Sequence, residues 1–409
     1  MRRVVITGAA GITPIGTGWE TVRANLRAMK SGVGRMKEWE DIAGMASWLG
    51  APVADFEIPP HYSRKMVRTM GRVGLLAIRS AELAIADAGL TGDSRLQDGS
   101  TGVSWGSTNG SAVDSIQFMQ QVGVRHTVEG VHGSLFPKFM SHTCAANISL
   151  FFHLRGRIIP TCSACTSGSQ GIGFGYEAIK SGLQDIMVCG GAEELHPIGT
   201  AVFDVMFATS RRNDAPTTVP RPFDRDRDGL VVGEGAGALI LESLDSARQR
   251  GADILCEVVG FATNGDGEHM VNPSRQGMLS VMQLALRDAG LTPDRIDYVS
   301  AHGTSTEIGD VAESNATRDC FGRAIPTSSL KSYMGHTLGA CGAIEAWVAA
   351  LQMKEGWVAP TLNLAVVDPA CGDLDYVMNG PRELTQEYVM SNNFAFGGIN
   401  TSLILRRWD

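Results

Sequence analysis

Ile158-Ile159-Pro160-Thr161-Cys162-Ser163-Ala164-Cys165-Thr166-Ser167-Gly168-Ser169 reads as a short apolar strand that breaks into a small-residue elbow and continues as a helix through Tyr176 and Lys180. The elbow places the Cys165 thiol at a helix start. There, unpaired backbone N–H groups and the positive end of the helix dipole favour a thiolate, so Cys165 is expected to titrate below a free cysteine and to act as a nucleophile. Ala164, Ser167 and Gly168 leave room for an acyl group to reach the sulfur and for backbone N–H groups to face a developing oxyanion. Strand, elbow and helix in succession imply an α/β fold with its chemistry at strand ends.

Other readings of this stretch compete. Cys162 and Cys165 form a Cys-x-x-Cys, but a zinc site needs a second pair, and Cys144, Cys189, Cys256, Cys320, Cys341 and Cys371 are solitary. Ser163, Tyr176 and Lys180 have the spacing of the short-chain dehydrogenase catalytic set, and Thr7-Gly8-Ala9-Ala10-Gly11 is similar to a nucleotide loop. That loop lacks its last glycine, since Ile12 and Thr13 follow Gly11, and Pro14 interrupts the helix that should cradle phosphates. An isolated cysteine is also often a buried structural residue. Partners elsewhere in the chain decide between these readings.

The 409 residues are enough for a large core, and with 44% hydrophobic and 19% charged residues the chain is globular. It has no low-complexity tract and no apolar run long enough to span a bilayer. A strand, Val4-Val5-Ile6-Thr7, is expected after only three residues, which leaves no room for a signal or transit peptide and implies a cytoplasmic location. Eight irregularly spaced cysteines fit that reducing compartment, and a net charge of −8 argues against general nucleic-acid binding. After Ile58-Pro59-Pro60, a helix is expected with Arg64, Arg68 and Arg72 on a basic stripe beside Lys65. Such a stripe is either a solvated face or a dock for an acidic partner.

Asp87-Ala88-Gly89-Leu90-Thr91-Gly92-Asp93 returns as Asp288-Ala289-Gly290-Leu291-Thr292-Pro293-Asp294, an offset of 201 residues (288 − 87). In both copies a helix precedes the glycine and a short strand rich in Gly, Ser and Thr follows, which implies duplicated halves. The boundary is placed at 1–254, carrying Cys165, and 255–409. The second half holds His302 in Ala301-His302-Gly303-Thr304-Ser305-Thr306, His336 in Lys331-Ser332-Tyr333-Met334-Gly335-His336, and the turn Asn393-Phe394-Ala395-Phe396-Gly397-Gly398. Each lies at the end of an expected strand, so all can converge with Cys165 on one pocket.

Together with Arg221-Pro222-Phe223-Asp224 and Gly233-Glu234-Gly235-Ala236-Gly237, these four motifs cover nearly the whole chain in order, and they resemble the β-ketoacyl-acyl-carrier-protein synthases. The resemblance implies a thiolase fold with duplicated halves in a five-layered αβαβα arrangement, typically a homodimer, with a heterodimer with a related subunit as the alternative. It implies no cofactor or metal, because substrates ride on the phosphopantetheine of acyl-carrier protein. By the same resemblance Cys165 takes the acyl chain, and His302 and His336 stabilise charge on a malonyl thioester oxygen. His302 is also a candidate for assisting decarboxylation. Lys331 tunes the histidines. Phe396 gates the acyl pocket and shares an oxyanion hole with the Cys165 N–H; Thr304, Thr306 and Phe394 contact the pantetheine or acyl arm. Lys65 and Arg68 fall where the carrier protein docks. The chain departs from the usual pattern at Ala395, where positive φ is restricted, and at Glu307, Ile399 and Met334. These departures leave open fatty-acid, polyketide or polyene synthesis. A non-catalytic chain-length factor would lack Cys165; a cysteine hydrolase would leave the second histidine and the lysine unexplained.

Overall fold

The structure, a computed structural model, describes residues 1–408. Ten strands and seven helices carry the architecture. The first half contributes β1 (Val4–Thr13), α1 (Arg72–Asp87), β2 (Thr101–Gly106), α2 (Thr143–Phe152), β3 (Ile158–Thr161), α3 (Ser167–Lys180), β4 (Ile186–Glu193), α4 (Pro197–Asp204) and β5 (Gly235–Ser243). The second contributes β6 (Cys256–Gly265), α5 (Arg275–Ala289), β7 (Tyr298–Ser300), α6 (Glu307–Phe321), β8 (Pro326–Ser328), α7 (Cys341–Glu355), β9 (Tyr388–Ala395) and β10 (Ile399–Arg407).

The strand order across the first half is β3-β2-β4-β5-β1, and across the second it is β8-β7-β9-β10-β6. Counted within each half, both are third, second, fourth, fifth, first. The halves join where β1 and β6 pair antiparallel, Val4 opposite Val258 and Ile6 opposite Cys256. Gly16–Thr17 and Asp375–Tyr376 add short edge strands.

The duplication extends to atoms. Register slips between Ile6 and Gly8 where β1 meets β5, and between Val258 and Gly260 where β6 meets β10. Beyond each slip one N–H is capped by the repeated aspartate: Ala9 N–H donates to Asp87 Oδ2 at 2.9 Å, and Phe261 N–H donates to Asp288 Oδ2 at 3.1 Å. Glycine is required beside both, because a Cβ on Gly8 would lie 2.5 Å from Ala84 O and one on Gly260 would lie 2.7 Å from Ala285 O.

Strand alternation builds the layers. Met187, Cys189, Leu239, Leu241, Leu403 and Leu405 face a central core shared with Ile344, Trp347 and Val348 of α7, while Ile186, Val188 and Ile240 face α1 outside. Ile404 and Met390 face the opposite outer layer with α5. Helices α3 and α7 therefore lie between two half-sheets, with α1 and α2 outside one and α5 and α6 outside the other. This is the five-layered thiolase arrangement. Helix α7 is buried on all sides, which is why its sequence is apolar around its whole circumference.

The basic stripe differs from expectation. Gly71 separates a short helix, Arg64–Val67 with Ser63 as its N-cap, from α1, and Arg72 turns inward to pair with Glu234 at 2.7 Å. Arg64, Lys65 and Arg68 remain exposed without Arg72 beside them. No helix among the described residues is long and apolar enough to cross a membrane.

Candidate active site

Strand β3 ends at Thr161, and the chain turns through Ala164, held at φ 49°, before α3 begins at Ser167. A left-handed alanine is strained, and hydrogen bonds hold it: the Ser167 hydroxyl donates to Ala164 O and accepts the Ser163 N–H, while Thr161 Oγ1 donates to Ser167 O. Gly168 lets the second half approach, since a Cβ there would stand 2.8 Å from Gly339 O.

His336 follows Gly335, whose φ of 67° turns the chain after Met334. Its Nε2 lies 3.0 Å from Cys165 Sγ. Its Nδ1 accepts the Leu338 N–H at 3.2 Å, so the proton of the neutral ring sits on Nε2, facing the sulfur. His302 is fixed the same way. Its Nδ1 faces two donors, Lys331 Nζ at 3.2 Å and Asn393 Nδ2 at 3.4 Å. Both rings thus offer Nε2–H donors rather than lone pairs. The rings stand edge to face, centroids 5.1 Å apart, and Cys165, His302 and His336 each bring a polar atom within 4.8 Å of the others.

Behind the histidines lies a buried polar network. Lys331 Nζ donates to Glu345 Oε1 at 2.5 Å, and Asn393 Nδ2 donates to Glu345 Oε2 at 2.7 Å. Burial opposes the Lys331 charge, but the surrounding acidic groups, Glu345 foremost among the carboxylates, outweigh it and raise its pKa. Burial and the Lys331 charge hold both histidines well below the ordinary imidazole range, so they stay neutral. Glu313 accepts the N–H groups of His302 and Gly303, each at 2.7 Å, and burial pushes its carboxyl up to about 8.

The expectation of an acidic Cys165 is not met. Burial pushes its thiol up to about 12, and the Lys331 charge only partly offsets this. The helix start is outweighed because Cys165 is 7% exposed and desolvation penalises a bare thiolate.

A cavity of about 230 Å³ opens onto Cys165, His302 and His336. Its apolar wall includes Phe203, Met206, Leu230, Met278, Phe394 and Phe396, while Thr304 and Thr306, hydroxyls 2.9 Å apart, line it nearer the start of α6. Phe396 packs against Phe203 with centroids 5.4 Å apart and ring planes tilted by 43°. The turn bearing it is tied by Gly397 N–H to Met270 O at 2.7 Å and by Asp266 N–H to Gly398 O at 2.9 Å. Positive φ falls on Gly397 and Gly398, whereas Ala395 still belongs to β9 opposite Ile399, so the alanine imposes no strain there.

The chain belongs to the β-ketoacyl synthase family. Residues 1–247 match the β-ketoacyl synthase N-terminal domain and residues 255–365 the C-terminal domain. The 3-oxoacyl-[acyl-carrier-protein] synthase 2 of Vibrio cholerae is 37% identical, over 99% of both chains. The crystal structure of a β-ketoacyl synthase from Burkholderia phymatum superposes with a TM-score of 0.98 at 52% identity, covering all of both chains. A type II PKS acyl-carrier protein in complex with its ketosynthase bound to the hexaketide superposes with a TM-score of 0.90 at 30% identity, again over all of both chains. The chain is a condensing acyltransferase of the thiolase superfamily, a β-ketoacyl-acyl-carrier-protein synthase.

In this synthase the rival motifs are taken up structurally. Tyr176 Oη accepts from Lys180 Nζ at 2.7 Å and donates to Asp288 Oδ2 at 3.0 Å, on the repeated aspartate and away from Ser163, which leaves no dehydrogenase set. Cys162 donates its thiol to Thr108 O, and all eight cysteines are free. Lys65 and Arg68 do not line the cavity; they are exposed on the short helix before α1. Glu313 and Asn393 hold His302 directly and Glu345 holds Lys331 and Asn393, roles that no local sequence motif announces. A lone acid inside the apolar α7 was the available signal for Glu345.

Proposed function

We propose that Cys165 is the acyl-accepting nucleophile of this synthase, and that His302 and His336 are its oxyanion donors. The supporting observation is that both histidine Nδ1 atoms are committed to donors, leaving two Nε2–H groups beside one sulfur. In the first stage the Cys165 sulfur bonds to the acyl carbon of a phosphopantetheine thioester. The carbon–sulfur bond to pantetheine breaks, and the thiol proton ends on the departing pantetheine sulfur. In the second stage a malonyl thioester loses CO2, and the electron pair moves to the thioester oxygen, where the two Nε2–H groups hold it. Each such donor contributes roughly 3 kcal/mol in a dry site. The enolate carbon then attacks the acyl-enzyme, and Cys165 leaves as a thiolate that takes one proton from solvent. The product is a 3-oxoacyl chain longer by two carbons.

Burial first, and then the positive charge of Lys331 behind His302, keep the rings neutral, so the donors never become imidazolium acids. Phe396, packed against Phe203, is the proposed gate of the acyl pocket, and Thr304 and Thr306 offer hydroxyls to the pantetheine amides. Acyl-carrier protein is the proposed partner, docking its acidic face on exposed Lys65 and Arg68. A second copy of the chain is proposed to cover the free edge of β3, where Ile158 is exposed beside the exposed Leu150 of α2.

Intact-mass spectrometry tests the reading. Incubation with a panel of saturated, polyunsaturated and aryl acyl-carrier proteins should add one acyl mass at Cys165. Malonyl-carrier protein should discharge it as a chain two carbons longer. No acylation by any member of the panel overturns the assignment. Reversing both charges, Lys65→Glu with Arg68→Glu, should raise KM for carrier-borne substrate about tenfold and leave turnover of a small pantetheine thioester unchanged. Equal loss with both substrates sinks the docking site.

A further inference from the structure

Between the elbow and the His336 turn sits a side chain that the chemistry above does not use. Glu193 ends β4, is 2% exposed and does not line the cavity. Its Oε2 accepts two N–H groups from different halves of the molecule, Thr108 at 3.0 Å and Gly339 at 3.1 Å. Each leads to a reacting group. Thr108 O accepts the Cys162 thiol at 2.8 Å, three residues before Cys165. Gly339 follows Leu338, whose N–H fixes the His336 ring.

The same turn is clamped from its other side by residues without side chains. A Cβ on Gly191 would stand 2.4 Å from Gly339 O, and one on Gly339 would stand 2.8 Å from both Glu193 Oε2 and Thr108 N. The two backbones approach too closely there for any side chain to lie between them. Burial pushes the Glu193 carboxyl up to about 7, with the Thr108 hydroxyl and then the two N–H groups opposing the rise and the like charge of Glu194 adding to it. Nothing of opposite charge pairs with Glu193 among the described residues, so its anchors are those two amides and the Thr108 hydroxyl.

We propose that Glu193 is a positioning residue, whose single oxygen bridges the two halves and sets where the His336 Nε2–H stands over the side chain at position 165. The proposal rests on the reading of His336 as an oxyanion donor. In this role Glu193 acts through His336 and touches no substrate. Its loss lets the turn drift while the cavity keeps its shape, so turnover falls and substrate binding does not. A displacement of about 1 Å in such a constellation costs on the order of 100-fold in rate.

The experiment is decarboxylation of malonyl-carrier protein by the Cys165→Gln variant, with Glu193→Met, Glu193→Gln and His336→Ala each added in turn, folding being checked by thermal unfolding. Glu193→Met fills the space without an acceptor and should lower kcat about 10- to 100-fold with KM within about twofold. Glu193→Gln keeps an acceptor oxygen and should retain kcat within about threefold. If Glu193→Met does not fold, Glu193→Ala takes its place. A Met variant with native kcat, or a folded Gln variant as impaired as Met, overturns the proposal. An undiminished His336→Ala rate instead overturns the underlying reading of His336, so the two failures are separable.

Discussion

The two halves share a strand order, a bulge and a capping aspartate, yet they supply opposite things to the cavity. The first presents one sulfur from a strained elbow at the start of α3. The second, where α7 starts with Cys341, puts its chemistry into a charged network behind two neutral rings. Cys341 Sγ itself donates to Cys165 O at 3.3 Å, so the second half's thiol at a helix start supports the first half's thiol. The scaffold was copied, and in the proposed chemistry the duties are divided. A nucleophile needs little beyond access, whereas oxyanion donors need their tautomers and charges held by buried partners.

The sharpest way to break the comparison is Cys165→Ala. Condensation should fall by about 10⁴-fold or more, because the nearby Cys341 of the second half is buried and does not line the cavity. A product assay showing elongation by this variant would falsify the division of duties. Glu345→Ala comes next. It strands the Lys331 charge in the interior and should cost roughly 3–5 kcal/mol in denaturant unfolding, while Glu345→Ala combined with Lys331→Met recovers most of the loss. Recovery failing to appear would mean that the ion pair is not what holds the network.

The duplicated caps allow a matched test. Asp87→Ala and Asp288→Ala each strand one buried N–H and should cost roughly 1–3 kcal/mol. Asp288→Ala should cost more, because Asp288 also holds Tyr176 and Lys180. Equal losses would show that those extra contacts contribute nothing. The smallest effect is a slope rather than a loss. Burial raises Glu313 from 4.5 to about 8, so its contribution to stability is present below pH 4.5 and is lost as pH rises through about 8. Glu313→Gln should flatten the stability profile across that window relative to the native chain, and parallel profiles would refute the raised pKa.

That Cys165, His302, His336 and Phe396 meet at one cavity is legible because each sits in a short run of small residues, where a few positions carry the signal. The duplication was legible in Asp87 and Asp288, whose exact function as bulge caps required the register of two distant strands. Glu193, Glu313 and Glu345 were not legible. Each is a single carboxylate on a strand or helix, and only tertiary packing reveals that it is buried and which N–H or ammonium group it meets. The acidity of Cys165 was misjudged for the same reason, since a helix start is local and desolvation is not. The basic helix was overextended because the apolar and basic spacing runs straight through Gly71, where Ser111 packs close enough that a Cβ would lie 2.4 Å away.

The position of β1 bears on how the molecule is made. The strand leaves the ribosome long before either of its long partners: β5 begins at Gly235 and β6 at Cys256. At about 5–20 residues per second, an apolar ten-residue segment waits for on the order of 10–50 s before either neighbour exists. During that wait both of its edges are open to wrong pairing. Biogenesis of this chain should therefore depend on whatever shields nascent strands, and the yield of soluble protein should respond to translation rate more than the stability of the finished fold would suggest.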